Sequence, residues 1–415
     1  MMTVRQRFPE SPPLDIPATI RQALGPALCA LKPGAKVAVA VGSRGVSNLR
    51  LITSASLAAL KAAGARPLIV PAMGSHGGGT PAGQLAVLAQ YGITQAALDT
   101  PFEPAMEVEQ VGTTASGFPV LFSAVALRAD AILLINRVKP HTDFSGLLGS
   151  GLLKMLVVGL GKGAGAANYH ALASRLGYAE VIRDSAAIIL RAAPILGGLA
   201  IVEDQRHQTA RITFVPAAEM PLREGELCAQ ARALMPGLPF DDIDLLIVDR
   251  MGKDISGTGL DPLVIGRSIH GYSLLEDPQR PPPRIRRVFV RELTPASRGN
   301  ATGLGLADFT TTRLVRAVDW EATNLNALTA LSLQGAKVPI HFATDREVLA
   351  KALSTLALAD PQLAKVVRIA DTLSLERLQV SATCLPLLAQ SPSLEPLGPL
   401  AEMAFGPDDN LLPMD

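Results

Sequence analysis

The sequence predicts an α/β protein: two α/β domains with mainly parallel sheets and an interdomain cleft. Three observations carry that expectation. Short β-branched runs alternate with helix-length segments bounded by caps and glycines, the pattern of parallel α/β units. A proline-rich stretch, Met235-Pro236-Gly237-Leu238-Pro239, separates two such blocks, so the domains are read as 1–236 and 237–415. The 415 residues suffice for roughly two to three domains at about 150 residues each.

The elements follow in order. The first 30 residues are proline-marked and read as an arm with a short helix. Residues 37–41 (VAVAV) end at Gly42 and read as a buried strand. Ser47 is expected to cap a helix that stops at Gly64. Residues 67–71 (PLIVP) form the next strand, followed by the loop Gly74-Ser75-His76-Gly77-Gly78-Gly79. Thr80 and Pro81 then make an N-cap and N1 pair for a helix ending near Tyr91. Residues 133–136 form a strand that runs into Arg137-Val138-Lys139-Pro140-His141. Residues 142–168 are glycine-punctuated around an apolar run at 152–160. A helix near 186–191 and a strand at 198–202 complete the first block. The second opens with DLLIVD at 244–249 and continues with a strand at 288–290 and a helix at 312–318.

Composition excludes several classes of function. Thirty-eight basic residues against 37 acidic ones leave a net charge of +1, without the basic excess of a polyanion-wrapping protein. Nucleic acid is therefore not an expected partner. The three cysteines, Cys29, Cys228 and Cys384, are too scattered for a C-x-x-C site and suit a reducing compartment. The greasiest stretch, 186–202, is broken by Arg191 and Pro194 and falls short of the ~20 apolar residues a membrane span needs. The N-terminal residues lack the apolar core of a signal peptide. A soluble, cytoplasmic protein is expected.

Only six histidines occur, and His76 and His141 each follow a predicted strand. In open α/β sheets the ligand crevice lies beyond the carboxyl ends of the strands. His76 stands beside three glycines, which offer no side chains to pack on. A loop histidine satisfied by backbone or solvent is the plainer reading of either one alone. Lys154 is the oddest residue, because it interrupts an apolar run from 152 to 160. Such a lysine must snorkel, be paired, or be chemically committed, and an exposed helix position is the alternative. The run Gly159-Leu160-Gly161-Lys162-Gly163 lacks the earlier glycine and the Ser/Thr of a Walker A loop. Gly303-Leu304-Gly305 is a lone G-x-G, and no histidine spacing fits a zinc motif.

Gly42-Ser43-Arg44, Gly74-Ser75-His76, Pro140-His141 followed by Lys154, and then His170 together resemble the nickel-pincer-nucleotide lactate racemase family. The resemblance covers most of the chain and is strongest over 37–170. The second half (GKDISGTGLDP, GLGLADFTT) resembles a widespread branch without assigned activity. It implies a nicotinic-acid-derived mononucleotide with two sulfur arms, bonded to a lysine through a thioamide and holding nickel through sulfur, carbon and sulfur. Lys154 matches the attachment lysine and His170 the nickel ligand. His76 and His141 match the acid/base histidines, Arg44 a substrate-holding arginine, and Ser43 and Gly74 line the cofactor. Proteins that build the cofactor would be maturation partners. From the second domain, Lys253 and Arg267 are the candidate cations for the substrate carboxylate.

Three departures from the lactate enzyme fall in the substrate pocket. The loop from His141 to Lys154 is longer, Gly77-Gly78-Gly79 replaces a bulkier sequence, and no aspartate precedes Arg44. The glycine trio is expected to open space for a larger substrate. The expected activity is racemisation or epimerisation of a small-molecule 2-hydroxy acid other than lactate, by transient hydride transfer. Two bases serve the two enantiomers, and histidine is suited to this near neutral pH. Two alternatives stand beside it. One is a non-catalytic hydroxy-acid or cofactor binder, which needs neither two bases nor a metal ligand. The other is a His-ligated metal-dependent hydrolase or lyase.

Overall fold

The structure, a computed structural model, describes residues 1–42, 45–140, 149–270 and 281–414. The chain divides into two units, Glu10–Met235 and Pro236–Asp415 joined by Met1–Pro9. A first domain of 1–236 therefore loses its leading residues to the second. The reason is strand β1 (Met2–Gln6). It pairs antiparallel with two strands from the end of the chain, at Arg377–Val380 and Leu394–Pro396. The expected arm is thus a strand inserted into a distant sheet.

In the unit Glu10–Met235, five strands form one sheet: β2 (Lys36–Val41), β3 (Arg66–Pro71), β6 (Ala131–Arg137), β7 (Ile195–Glu203) and β8 (Thr209–Pro216). Their order is β3-β2-β6-β7-β8, parallel throughout except for β8. A hairpin of β4 (Val108–Thr113) and β5 (Pro119–Ser123) stands apart. Strand side chains alternate between faces, and both faces are buried. Val37, Val39 and Val41 pack with Ile20 and Leu24 of α1 (Ile16–Leu28) and Ile52 and Leu60 of α2 (Leu49–Ala62). Ala38 and Ala40 face Leu152, Leu156 and Ile182 on the other side. Each such aliphatic contributes about 1.5–3 kcal/mol.

The Thr80-Pro81 cap reading of this unit holds. Thr80 accepts from Gly83 N and Pro81 opens α3 (Pro81–Gln90), with Gly92 at φ +69 just past its end. Ser47 is a correction. The N-cap of α2 is Asn48 in the left-handed conformation, and Ser47 N instead donates to Glu203 Oε1 at 2.7 Å. The glycine-punctuated stretch 149–168 is mostly helical. A single turn at Leu152–Lys154 leads into a wide turn at Met155–Gly159 and then α4 (Lys162–Leu176). α5 (Tyr178–Ala192) and α6 (Met220–Ala233) cover the same face of the sheet.

The second unit holds β9 (Asp242–Met251), β10 (Arg284–Leu293), β11 (Phe309–Thr311), β12 (Ile340–Phe342), β13 (Val366–Ile369), β14 (Arg377–Val380) and β15 (Leu394–Pro396). With β1 they make one sheet in the order β12-β11-β10-β9-β13-β14-β1-β15. Pairing is parallel from β12 to β13 and antiparallel beyond. A buried ionic network ties the chain's last residues down. Asp345, fully buried, accepts from Arg291 and Arg313 and from Leu411 N at 2.9 Å. Asp249 joins Arg291 to Arg368, and Arg368 donates to Leu412 O at 2.6 Å. Among the described residues no helix is long and apolar enough to cross a membrane.

Removing one member of this network leaves buried guanidinium charge uncompensated. Asp345→Ala should lower the unfolding free energy by about 3–5 kcal/mol. Urea denaturation measures it; a loss below about 1 kcal/mol, the value of an exposed pair, would refute the assigned role.

Candidate active site

Strand order decides where a site can form. From β2 the chain moves outward to β3, then crosses back to place β6 on β2's other side. The switch point therefore lies between β2 and β6, and a crevice opens beyond their carboxyl ends. Gly42 follows β2 there. A Cβ at this position would stand 3.2 Å from both Asn136 Oδ1 and Met155 Cε. Asn136, near the end of β6, donates from Nδ2 to Gly151 O at 2.7 Å. Ser43, Arg44 and His141 lie outside the described residues.

The His76 loop leaves the end of β3. Gly74 has φ +61, and its N–H donates to Gly159 O at 3.1 Å. Buried Gln84 braces the loop from α3, donating from Nε2 to Gly74 O at 2.9 Å. His76 is half-buried, with its N–H on Met73 O at 3.1 Å. Gly77, Gly78 and Gly79 have φ of 64°, 68° and 64°, three successive left-handed residues. A Cβ on Gly77 would also stand 2.4 Å from Gly83 C. The trio is thus demanded by the backbone's path, a reason that room for a larger substrate does not supply.

Lys154 and His170 approach the same strand end by two arms. Leu160 N donates to Met155 O at 2.8 Å, the i→i+5 bond of a π-turn, a local widening frequent at functional sites. Residues sixteen apart on a straight helix would face nearly opposite ways. Here the helix is interrupted. Lys162 has φ +56, and a Cβ on Gly161 would lie 2.2 Å from Val157 O. The two arms then share one neighbour: a Cβ built on Gly74 would lie 3.1 Å from Val158 O and 3.5 Å from Ala166 Cβ. Lys154 is one turn before Val158, and His170 one turn after Ala166. Both are half-buried. The Tyr169 ring meets His170 edge-on at 5.2 Å between centroids.

Two buried ionisable groups grip this segment, and sequence reasoning singled out neither as functional. Lys162, fully buried, donates to Pro71 O at 2.6 Å, at the end of β3. Desolvation lowers its pKa to about 8, opposed by the charge of Glu107. Glu224, buried on α6, accepts from Leu153 N at 2.8 Å. Burial pushes its pKa up to about 7, opposed by hydrogen bonds from the Leu153 and Leu152 backbone. Lys162 announced itself only as the lysine of a failed Walker motif, and Glu224 sits in a helix with no local signal. At the switch point itself Arg137 pairs with Glu203 and donates to Gly45 O at 3.2 Å.

In the second unit, Lys253 lies just past β9, with Nζ on Gly257 O at 2.8 Å and its N–H on Ser297 Oγ at 2.8 Å. Arg267 is committed elsewhere. It donates to Asp308 at 2.6 Å and to Leu306 O at 2.8 Å. Among the described residues, no three His, Cys, Asp or Glu side chains cluster as a metal site.

No protein-family model matches the chain, and no curated protein does. Among solved structures, a structural-genomics protein from Thermotoga maritima matches with a TM-score of 0.55 at 14% identity, over 89% of this chain and 99% of its own. The lactate racemase apoprotein from Thermoanaerobacterium thermosaccharolyticum matches with a TM-score of 0.49 at 15% identity, over the same shares. The Thermotoga likeness bears on the fold, and agrees with the α/β architecture.

Lys162 gives a pH-dependent prediction. Its folded pKa lies below that of the unfolded chain, so the unfolded state binds more protons between about pH 8 and 10.5, and stability rises with pH there. Lys162→Met removes this dependence. The stability of the native chain minus that of the variant should rise by about 2–3 kcal/mol from pH 7 to pH 10. Urea titrations at both pH values measure it, and a flat difference would show that the amine is not desolvated.

Proposed function

We propose that this chain is a racemase or epimerase of a 2-hydroxy acid other than lactate, working with a lysine-linked nickel-pincer nucleotide. The observation that supports this most is the contact of Val158 and Ala166 with the position of Gly74. It links three segments at one strand end: the His76 loop, the turn bearing Lys154 and the helix bearing His170. The resemblance assigned those three residues separately, without reference to any fold.

The residues present suit the group. A pincer nucleotide brings three donor atoms of its own and asks one imidazole of the protein. His170 can supply it as a neutral ligand. When bound, the group supplies an acceptor for the hydrogen on the substrate's hydroxyl-bearing carbon.

The remaining work falls to this chain. Lys154 provides the amine for attachment. His76 and His141 serve one enantiomer each: one takes the hydroxyl proton of the substrate and the other donates a proton to the oxygen of the product, since inversion presents the hydroxyl in two directions. An imidazole pKa near 6.5 lets the same group act both ways. Arg44 holds the carboxylate through a bidentate pair. A binder without catalysis would need Arg44 but not two histidines. Of the second-unit cations, Lys253 is preferred, because Arg267 already neutralises Asp308. Cys29, Cys228 and Cys384 form no disulfide and suit a cytoplasmic setting, where proteins that build the cofactor would be the maturation partners.

Intact mass of the chain made in cells that also make the cofactor tests the reading. An adduct on Lys154 is expected. Lys154→Ala should abolish it, whereas His170→Ala should keep the adduct and lose nickel on dialysis. Unmodified protein carrying tightly bound zinc would support the hydrolase instead.

Lys253 can be tested on whichever hydroxy acid is turned over. A charge-assisted contact is worth about 1.5–3 kcal/mol, so Lys253→Ala should lower kcat/KM roughly 10- to 150-fold. Arg267→Ala should leave kcat/KM near the native value and lower stability. The reverse pattern would reassign the substrate cation.

A further inference from the structure

We propose that Glu224 is a positioning residue for Lys154: its carboxyl group grips the main chain of Leu153 and so sets where the lysine amine points. The inference rests on the reading of Lys154 as the attachment residue. Its argument begins with the turn itself. Leu152–Lys154 is one turn long, and an isolated turn this short does not hold itself. Its N-terminal N–H groups need acceptors. The usual solution is a Ser, Thr, Asp or Asn at the preceding position. Gly151 stands there, and a Cβ on it would lie 2.4 Å from Glu224 Oε1 and 2.6 Å from Cδ. Glu224 therefore displaces the local cap and does its work from α6, some seventy residues away in sequence.

That arrangement carries a desolvation cost, since Glu224 is 1% exposed. A cap serving stability alone could be made locally without that burial. What the carboxylate adds is a fixed direction. From the opposite side Asn136 Nδ2 holds Gly151 O, and Lys139 and Ser150 exchange two main-chain bonds at 2.8 and 2.9 Å. The turn is thus pinned to the end of β6 on one side and to α6 on the other. Lys154 follows the gripped Leu153 directly, so its Cα inherits the clamp.

The test uses the full chain with Glu224→Ala and Glu224→Gln. Brief acetylation of the cofactor-free protein, read by peptide mass spectrometry, gives the reactivity of Lys154 relative to exposed Lys61. Leaving the buried Leu153 N–H without its acceptor should raise Lys154 labelling by about tenfold in the Ala variant. Gln keeps one carbonyl acceptor and should give an intermediate rise. Lys139 and Lys162 should not follow. A relative rate within about twofold of native in the folded Gln variant overturns the proposal, as does an equal rise at all three lysines, which marks general loosening. If Ala does not fold, Gln decides. Preparations from cofactor-making cells should carry less adduct in the order native, Gln, Ala. Native protein without any adduct would sink the cofactor reading, while the labelling experiment would still judge Glu224 on its own.

Discussion

Parallel pairing of β2 with both β3 and β6 is the constraint on which the candidate site depends. Two adjacent strands that end side by side and send their chains in opposite directions form a topological switch point, the place where α/β sheets bind ligands. Main-chain polar groups at those ends need partners from elsewhere. The partners come from one stretch, 149–162: Ser150 to Lys139, Gly151 to Asn136, Gly159 to Gly74, Lys162 to Pro71. The segment bearing Lys154 is therefore the cover of the strand ends.

Covering strand ends demands close approach, and close approach demands glycine. Gly42, Gly74, Gly151 and Gly159 each face a backbone or side-chain atom at a distance a Cβ could not share without displacement. Glycines scattered through the sequence as loop markers thus become contact points of one assembly. The second sheet has no counterpart to this in its antiparallel half. There β14, β1 and β15 finish the sheet, and the ionic network of Asp249, Arg291, Asp345 and Arg368 secures the last residues of the chain.

What could be read from the sequence depended on the range of the physics involved. The buried parallel strands announced themselves as β-branched runs, because both of their faces meet apolar layers. The Thr80-Pro81 start of α3 and the glycine beyond its end are local chemistry, and both were legible. Ser47 misled because its hydroxyl accepts from Asn48 Nδ2 instead of a helix N–H, and its own N–H is held by Glu203, distant in sequence. Strand β1 was missed because its partners lie more than 370 residues away. The helical character of 149–168 was hidden by glycines, which lower helix propensity locally but are retained here for contact. Glu224 could not have been seen, since its role exists only through the fold.

The two lysines of the covering segment sharpen the chemical argument. From the sequence, Lys154 was the suspect buried amine because of its apolar neighbours. The structure gives full burial to Lys162 instead, eight residues on, with its amine spent on Pro71 O. An amine whose proton is engaged by a strand-end carbonyl, enclosed on all sides, has a lowered pKa but no approach for an electrophile. Lys154 is half-buried, on a turn held from both ends. A side chain to be acylated by a large nucleotide needs that combination: a main chain that cannot shift and an amine that a bulky reagent can reach. Under the proposed attachment, burial alone would favour Lys162 and access alone any surface lysine, whereas Lys154 follows a turn held by Asn136 and Glu224.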